Sequence, residues 1–238
     1  MSETLRAARV AALDRVSGLV HGFEQRLGPA GWEERDDTRR RVASALRPSG
    51  ELLLLEQVHG ASVRRAPWTG RPEGDGAVAD SPGLVLGIET ADCLPVLIVD
   101  PGRRRVAAAH AGWRGTAAGV ARAAVAALVA GGSRPEDLLA ATGPCIGPCC
   151  YEVGDELRAV FGERGQELFR AGPRGRPHLD LRAANERQLR EAGVAASRIH
   201  RVDDCTRCRA DLYHSYRREG KGAGRMINYI GFTAENAE

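Results

Sequence analysis

The sequence predicts one layered α+β domain. Three observations lead there. Apolar runs of strand length alternate with helix-patterned runs, and glycine and proline separate them. Strands are contributed from both halves of the chain, and no internal repeat or low-complexity linker divides it. At 238 residues the chain can bury a substantial core, so the expected domain spans residues 1–238.

Residues 1–50 are the least patterned. E-E-R-D-D-T-R-R-R-V-A-S-A-L predicts a solvated helix face ending near Pro48 and Gly50. E-L-L-L-L-E-Q-V-H, G-L-V-L-G-I-E, L-P-V-L-I-V-D and R-R-V-A-A-A-H predict strands. T-A-A-G-V-A-R-A-A-V-A-A-L-V-A predicts a helix stopped by Gly131-Gly132. L-L-A-A-T-G is a short strand, and D-E-L-R-A-V-F a helix. L-R-A-A-N-E-R-Q-L-R-E-A is a helix with Asp180 as N-cap, and R-M-I-N-Y-I-G-F is the last strand.

Composition narrows the function. The N-terminus is broken by charges and lacks the apolar stretch of a signal peptide. No run approaches the ~18 apolar residues of a membrane span. A cytoplasmic protein is expected, with its six cysteines acting as thiols, ligands or nucleophiles. The net charge of +3 is spread along the chain as Arg, and only 5% of residues are aromatic, so neither a basic stripe nor a stacking platform supports nucleic-acid binding. The expected partner is a small molecule, and the expected state a monomer or small homo-oligomer.

The chemistry concentrates in three places. A-D-C-L-P-V-L-I-V-D-P-G-R-R-R-V-A-A-A-H reads as a hairpin, with D-P-G-R as the turn. With a Pro101-Gly102 loop, Cys93 faces His110 on one side of the sheet, with Cβ atoms ~4.5–5.5 Å apart. That spacing suits two ligands of one metal ion, and equally a Cys–His nucleophile and base. Pro95 then falls where the hairpin needs no N–H. His59, in Q-V-H-G, also ends an apolar run, and a His2Cys set suits zinc with a fourth position open. In H-A-G-W-R-G-T, Gly112 and Gly115 permit a tight strand-to-helix turn, Thr116 is a candidate cap, and Arg114 with the free N–H groups a candidate anion site. Equally, these glycines serve to let Trp113 pack.

G-P-C-I-G-P-C-C and C-T-R-C carry Cys145, Cys149, Cys150, Cys205 and Cys208. Only the second has C-x-x-C spacing, and no H-x-E completes a nucleoside-deaminase signature. Loop thiols bordering the active site are the favoured reading, with a structural zinc as the alternative. Arg217, Arg218 and Arg225, in S-Y-R-R-E-G-K-G-A-G-R, are candidate phosphate contacts in a solvated loop.

Q-V-H-G, A-D-C-L-P-V, H-A-G-W-R-G-T, G-P-C-I-G-P-C-C-Y-E-V-G, C-T and S-Y-R-R-E-G-K-G-A-G-R-M occur in this order. From Gln57 to about Phe232 the sequence closely resembles the bacterial laccase-domain, or polyphenol oxidase-like, family. The resemblance implies an α/β/β/α sandwich related to the Cys–His toxin deamidases. It implies that His59, Cys93 and His110 form the active site and hold zinc. It also implies phosphorolysis of adenosine, inosine or methylthioadenosine and deamination of adenosine. One branch, the peptidoglycan editing factors, instead removes L-serine from a UDP-MurNAc precursor. H-G-F-E-Q-R-L-G-P, His21 to Pro29, departs from the family's pattern: Glu24 stands for a small hydroxyl residue and Pro29 for a glycine. A carboxylate beside Arg26 weighs against phosphorolysis more than against metal binding.

The laccase label does not fit the residues. Six histidines without an H-x-H pair cannot furnish a multicopper centre, and the two methionines, Met1 and Met226, lie away from these motifs. The leading expectation is a zinc-dependent purine nucleoside enzyme. In it Arg26 and Arg114 hold phosphate, and one of Asp75, Glu89 and Asp92 orients a histidine or moves a proton. In deamination an activated water attacks C6 of adenine, and in phosphorolysis phosphate attacks the ribose C1′. The alternatives are an amide hydrolase acting on a cell-wall precursor through the same site, and a non-catalytic, zinc-stabilised partner protein.

Overall fold

The computed structural model describes residues 5–26, 35–173 and 175–234. Among the described residues, one sheet runs in the strand order Ala7–Ala8, Leu19–Glu24, Met226–Phe232, Leu84–Thr90, Glu51–Leu54. A second runs Ile199–Arg201, Leu139–Thr142, Leu94–Asp100, Arg105–Ala111, Gly76–Ala79, Val63–Arg65. Both are mixed, and a small antiparallel pair joins Phe169–Ala171 to Pro177–Leu179.

The layering follows from the strand period of two. Leu97, Val99, Val106 and Ala108 turn toward the other sheet and meet Phe23, Leu86, Ile88, Ile230 and Phe232. Their neighbours Val96, Ile98, Ala107 and Ala109 turn the opposite way, onto Val120, Ala124, Val125 and Leu128 of helix Val120–Ala130 and Leu189 of helix Leu181–Glu191. Beyond the five-stranded sheet, Val42 and Leu46 of helix Arg35–Leu46 cover Val85, Ile227 and Tyr229. The order of layers is therefore helix, sheet, sheet, helix, as expected. Strand Leu94–Asp100 is buried along its whole length because both its faces are covered.

Several local expectations need correction. The hairpin after Leu94–Asp100 turns through Pro101–Arg104, so Asp100 pairs with Arg105 and Pro95 with His110. The Asp100 carboxylate caps this longer turn by accepting from Arg103 N at 3.0 Å, and Arg104 takes a left-handed φ of 51°. The partner of each residue moves by two positions, which preserves the face, so Cys93 and His110 still point the same way. Pro95 O accepts from Gly143 N, so its missing N–H lies on the side away from His110. The run after His110 is two helices, Trp113–Ala118 and Val120–Ala130, broken at Gly119 with φ 85°. Its N-cap is Gly112, not Thr116, whose buried hydroxyl accepts from Asn185 Nδ2 at 2.9 Å.

The 51–59 run is a strand only over Glu51–Leu54. Helix Arg35–Leu46 is not simply solvated: Thr38, Val42 and Leu46 are buried, while Arg39 and Arg41 reach inward to Glu89 and Glu24. Asp180 caps its helix as expected, accepting from Ala183 N at 2.9 Å.

Leu97 sits at the centre of the layer between the sheets, fully buried. Leu97→Ala is expected to lower the unfolding free energy by about 2–5 kcal/mol, read from the denaturant midpoint at unchanged slope.

Candidate active site

The site forms where strand Leu94–Asp100 begins, strand Arg105–Ala111 ends and the 58–60 turn crosses over them. Asp75 directs this convergence. It is fully buried and its Oδ1 accepts from His59 N at 2.9 Å, while Oδ2 accepts from Gly60 N at 2.6 Å and Val58 N at 3.2 Å. These bonds hold His59 in the left-handed region, at φ 62°. Oδ1 also lies 2.8 Å from His110 Nδ1, and the backbone of the same pair is tied by His110 N donating to Asp75 O at 2.7 Å.

His59 and His110 meet edge to face, with ring centroids 4.8 Å apart. With Cys93 they offer two nitrogens and one sulfur that all lie within 4.8 Å of one another. Two glycines of H-A-G-W-R-G make room for this. A Cβ on Gly112 would stand 3.0 Å from Cys93 Sγ and 3.2 Å from His59 Cδ2, and one on Gly115 would stand 2.8 Å from Gly60 O. The glycines thus serve backbone approach to the site.

Burial by itself pushes the Cys93 thiol up, but the charge and hydrogen bond of His110, with help from His59, bring it down to about 6. Burial pulls His110 down, yet the Cys93 thiolate and the Asp75 carboxylate raise it to about 9. Asp75, which burial alone would raise, is held below the usual carboxylate range by His110 and the 59–60 amides. At neutral pH the metal-free pair is therefore thiolate and imidazolium.

The donor set also fits a divalent metal. Asp75 occupies His110 Nδ1 and leaves Nε2 for the ion, and the absent side chain at Gly112 keeps the space between Cys93 and His59 clear. A multicopper oxidase needs more histidines than this. Met226 Sδ meanwhile accepts from His214 N at 3.1 Å and does not line the pocket.

The cavity above these three residues measures about 570 Å³. Arg39, Arg71, Arg114, Arg217 and Arg225 line it, along with Trp113, Tyr151 and Tyr216. Glu89 is among the lining residues, but its carboxylate is engaged by Arg39 at 2.9 and 3.0 Å and by Arg71, and its backbone is paired with the Gln57 amide. Asp92, at φ 90°, accepts from Thr206 Oγ1 and from Arg217 N, each at 2.6 Å. Of the three carboxylates singled out, Asp75 alone contacts a candidate ligand residue's ring, whereas Glu89 and Asp92 position arginines and loops.

Arg114 reaches the cavity, its guanidinium 4.5 Å from the Trp113 ring centroid. Arg26 does not line it: Nη1 donates to Ala210 O at 3.2 Å and to Glu219 at 3.4 Å. Glu24 is buried, paired with Arg41 and accepting from Ile227 N at 2.6 Å, so its charge anchors the outer helix instead of entering the pocket. Gly28 and Pro29 lie outside the described residues. Sequence reasoning missed Arg39, Arg71, Tyr151 and Tyr216 as pocket residues. Tyr151 lies within the G-P-C-I-G-P-C-C-Y-E-V-G motif, and nothing local marked the two arginines.

Fold and site together define a mixed α/β protein with a candidate His2Cys metal centre. Residues 33–233 match the family model described as multi-copper polyphenol oxidoreductase laccase, and the chain belongs to that family. A relative named purine nucleoside phosphorylase YlmD, of Geobacillus stearothermophilus, is 37% identical over 253 residues, covering 91% of this chain and 89% of its own. A purine nucleoside phosphorylase of Streptomyces coelicolor is 41% identical over 238 residues, covering 96% and 97%. Adenosine deaminase RL5, of an unknown prokaryotic organism, is 40% identical over 160 residues, covering 66% of this chain and 61% of its own. The crystal structure of YlmD superposes with a TM-score of 0.84 at 30% identity, covering 97% of this chain and all of that one.

In metal-free protein the thiolate absorbance near 240 nm is expected to persist as the pH falls, until about 6. His110→Asn removes the cation, so the titration is expected to move up to ~8.5 or higher. An unchanged midpoint would show that His110 does not hold the charge on Cys93.

Proposed function

We propose that this protein is a zinc-dependent purine nucleoside enzyme that phosphorolyses adenosine, inosine or methylthioadenosine and deaminates adenosine. The observation that carries the reading is the convergence of His59, Cys93 and His110 over Asp75, beneath an arginine- and aromatic-lined cavity. The printed names of the relatives, phosphorylase and deaminase, support the same substrate class. The reading takes residues 1–238 as one domain of the laccase-domain type, related to the Cys–His toxin deamidases, in a cytoplasmic protein. No described helix is long and apolar enough to cross a membrane.

In this reading His59 Nε2, Cys93 Sγ and His110 Nε2 hold the ion. A zinc ion there supplies Lewis acidity and makes a neighbouring water more acidic. Asp75 fixes the His110 tautomer by taking its Nδ1–H. Trp113, Tyr151 and Tyr216 supply faces for the purine. Arg114 and Arg217 hold phosphate; Arg39 and Arg71 share the Glu89 charge and leave a net positive wall. In phosphorolysis a phosphate oxygen bonds to C1′ as the C1′–N9 bond breaks, and the purine takes the electron pair and a proton. In deamination water oxygen bonds to C6 and the amino group leaves as ammonia.

The thiolate–imidazolium pair favours one second reading, hydrolysis of the L-serine amide of a UDP-MurNAc precursor with Cys93 as nucleophile and His110 as acid–base group. Chelation separates the two, because it spares a thiolate mechanism.

Product analysis by chromatography tests the first reading. Adenosine alone is expected to give inosine, and adenosine with phosphate to give adenine and ribose-1-phosphate. Both should vanish with a chelator or in folded His110→Ala. Arg114→Ala is expected to raise the KM for phosphate ~10–100-fold while leaving deamination within about twofold, since one charge-assisted contact is worth ~1.5–3 kcal/mol. Absence of product from metal-loaded, folded wild type would overturn the reading.

A further inference from the structure

Four cysteines outside the active site converge. Cys149 and Cys150 lie in the turn after Gly147, and Cys205 and Cys208 in the turn that follows Asp204. All four sulfurs lie within 4.8 Å of one another. Cys149 and Cys208 are 3.8 Å apart, Cys150 and Cys208 3.4 Å, and none of the four is in a disulfide. Tetrahedral zinc with ~2.3 Å bonds to sulfur spaces its ligands ~3.8 Å apart.

The surroundings are arranged for sulfur. Gly147 N donates to Cys205 Sγ at 3.2 Å, and Arg207 Nη1 to Cys150 Sγ at 3.5 Å. A Cβ on Gly147 would lie 3.3 Å from Cys149 Sγ and 3.6 Å from Cys205 Sγ, so glycine lets the backbone pass close to the sulfurs without crowding them. The Cys145–Cys205 bridge between backbones holds the two loops in register. Cys145 itself points into the apolar core and is not a member of the group.

We propose that Cys149, Cys150, Cys205 and Cys208 bind one zinc ion as a structural tetrathiolate that ties together the two loops bordering the active site. Four protein sulfurs leave no position for substrate, unlike the three ligands at His59, Cys93 and His110. Sulfur ligands select a soft or borderline ion over calcium or magnesium. On binding, each thiol gives its proton to solvent as its sulfur bonds the metal, with no change of oxidation state. Arg207 offsets part of the resulting negative charge. The tie has a direct route to the pocket. Tyr151, next to the first pair, and Ile146, at the start of the same loop, line the cavity, and Thr206, between the second pair, donates to Asp92 beside Cys93. The proposal does not depend on the purine reading.

Cobalt substitution under reducing conditions tests it. Thiolate-to-cobalt charge-transfer absorption reports Co–S bonds, so wild type is expected to show the intensity of five per chain. Cys93→Ser, which removes the active-site sulfur, should retain four, and Cys149→Ser with Cys208→Ser should lose most of the signal. Elemental analysis of zinc-loaded Cys93→Ser/His110→Ala should find one zinc per chain. A wild-type spectrum with the intensity of a single Co–S bond would overturn the proposal, and needs no variant to fold. So would a folded Cys93→Ser protein, with five titratable thiols, that takes up no cobalt.

Discussion

Asp75 is the interaction on which the rest of the site depends. A carboxylate buried away from water costs several kcal/mol unless hydrogen bonds replace its solvation. Here three successive amides, from Val58 to Gly60, and the His110 ring replace it. The same bonds force the 58–60 segment into a tight turn and hold His59 at a backbone angle that costs ~1–3 kcal/mol when unsupported. Because Asp75 immediately precedes strand Gly76–Ala79, and Gly76 pairs with Ala109, sheet register delivers the carboxylate to His110. The geometry of the candidate site is thus a consequence of strand pairing, stabilised by one anion.

The pocket wall rests on a second tier of buried carboxylates. Glu89 gathers Arg39 from the outer helix and Arg71 from the 70–72 loop, while its backbone exchanges two hydrogen bonds with Gln57. Asp92 ties the Thr206 loop to the helix that starts at Tyr216. Each carboxylate joins segments distant in sequence and is matched by donors, so the cavity keeps a positive wall around paired carboxylates. Glu24 shows the same economy on the far side: with Arg41 it fastens the helical layer to the sheet. The cysteine quartet adds a sulfur tie on the remaining border.

Strand-length apolar runs, the Asp180 cap and the chemistry of Q-V-H-G, A-D-C-L and H-A-G-W-R-G were legible in the chain, because each is a local pattern with its own physical cause. The hairpin shows the boundary. Its existence followed from D-P-G-R, but the turn length depended on how the Asp100 carboxylate and the left-handed Arg104 closed it. Cys93 and His110 stayed on one face only because the displacement was an even number of residues.

By itself the sequence determined the layered α+β class, the identity of the three candidate ligands and their mismatch with a copper oxidase, since periodicity, turn chemistry and donor type are properties of short segments. Tertiary structure alone decided that Asp75, not Glu89 or Asp92, orients His110, that Arg39 and Arg71 replace Arg26 at the pocket, and that four of the five remaining cysteines meet. Those outcomes depend on which strands pair and in what register, and residues tens of positions apart carry no local sign of that.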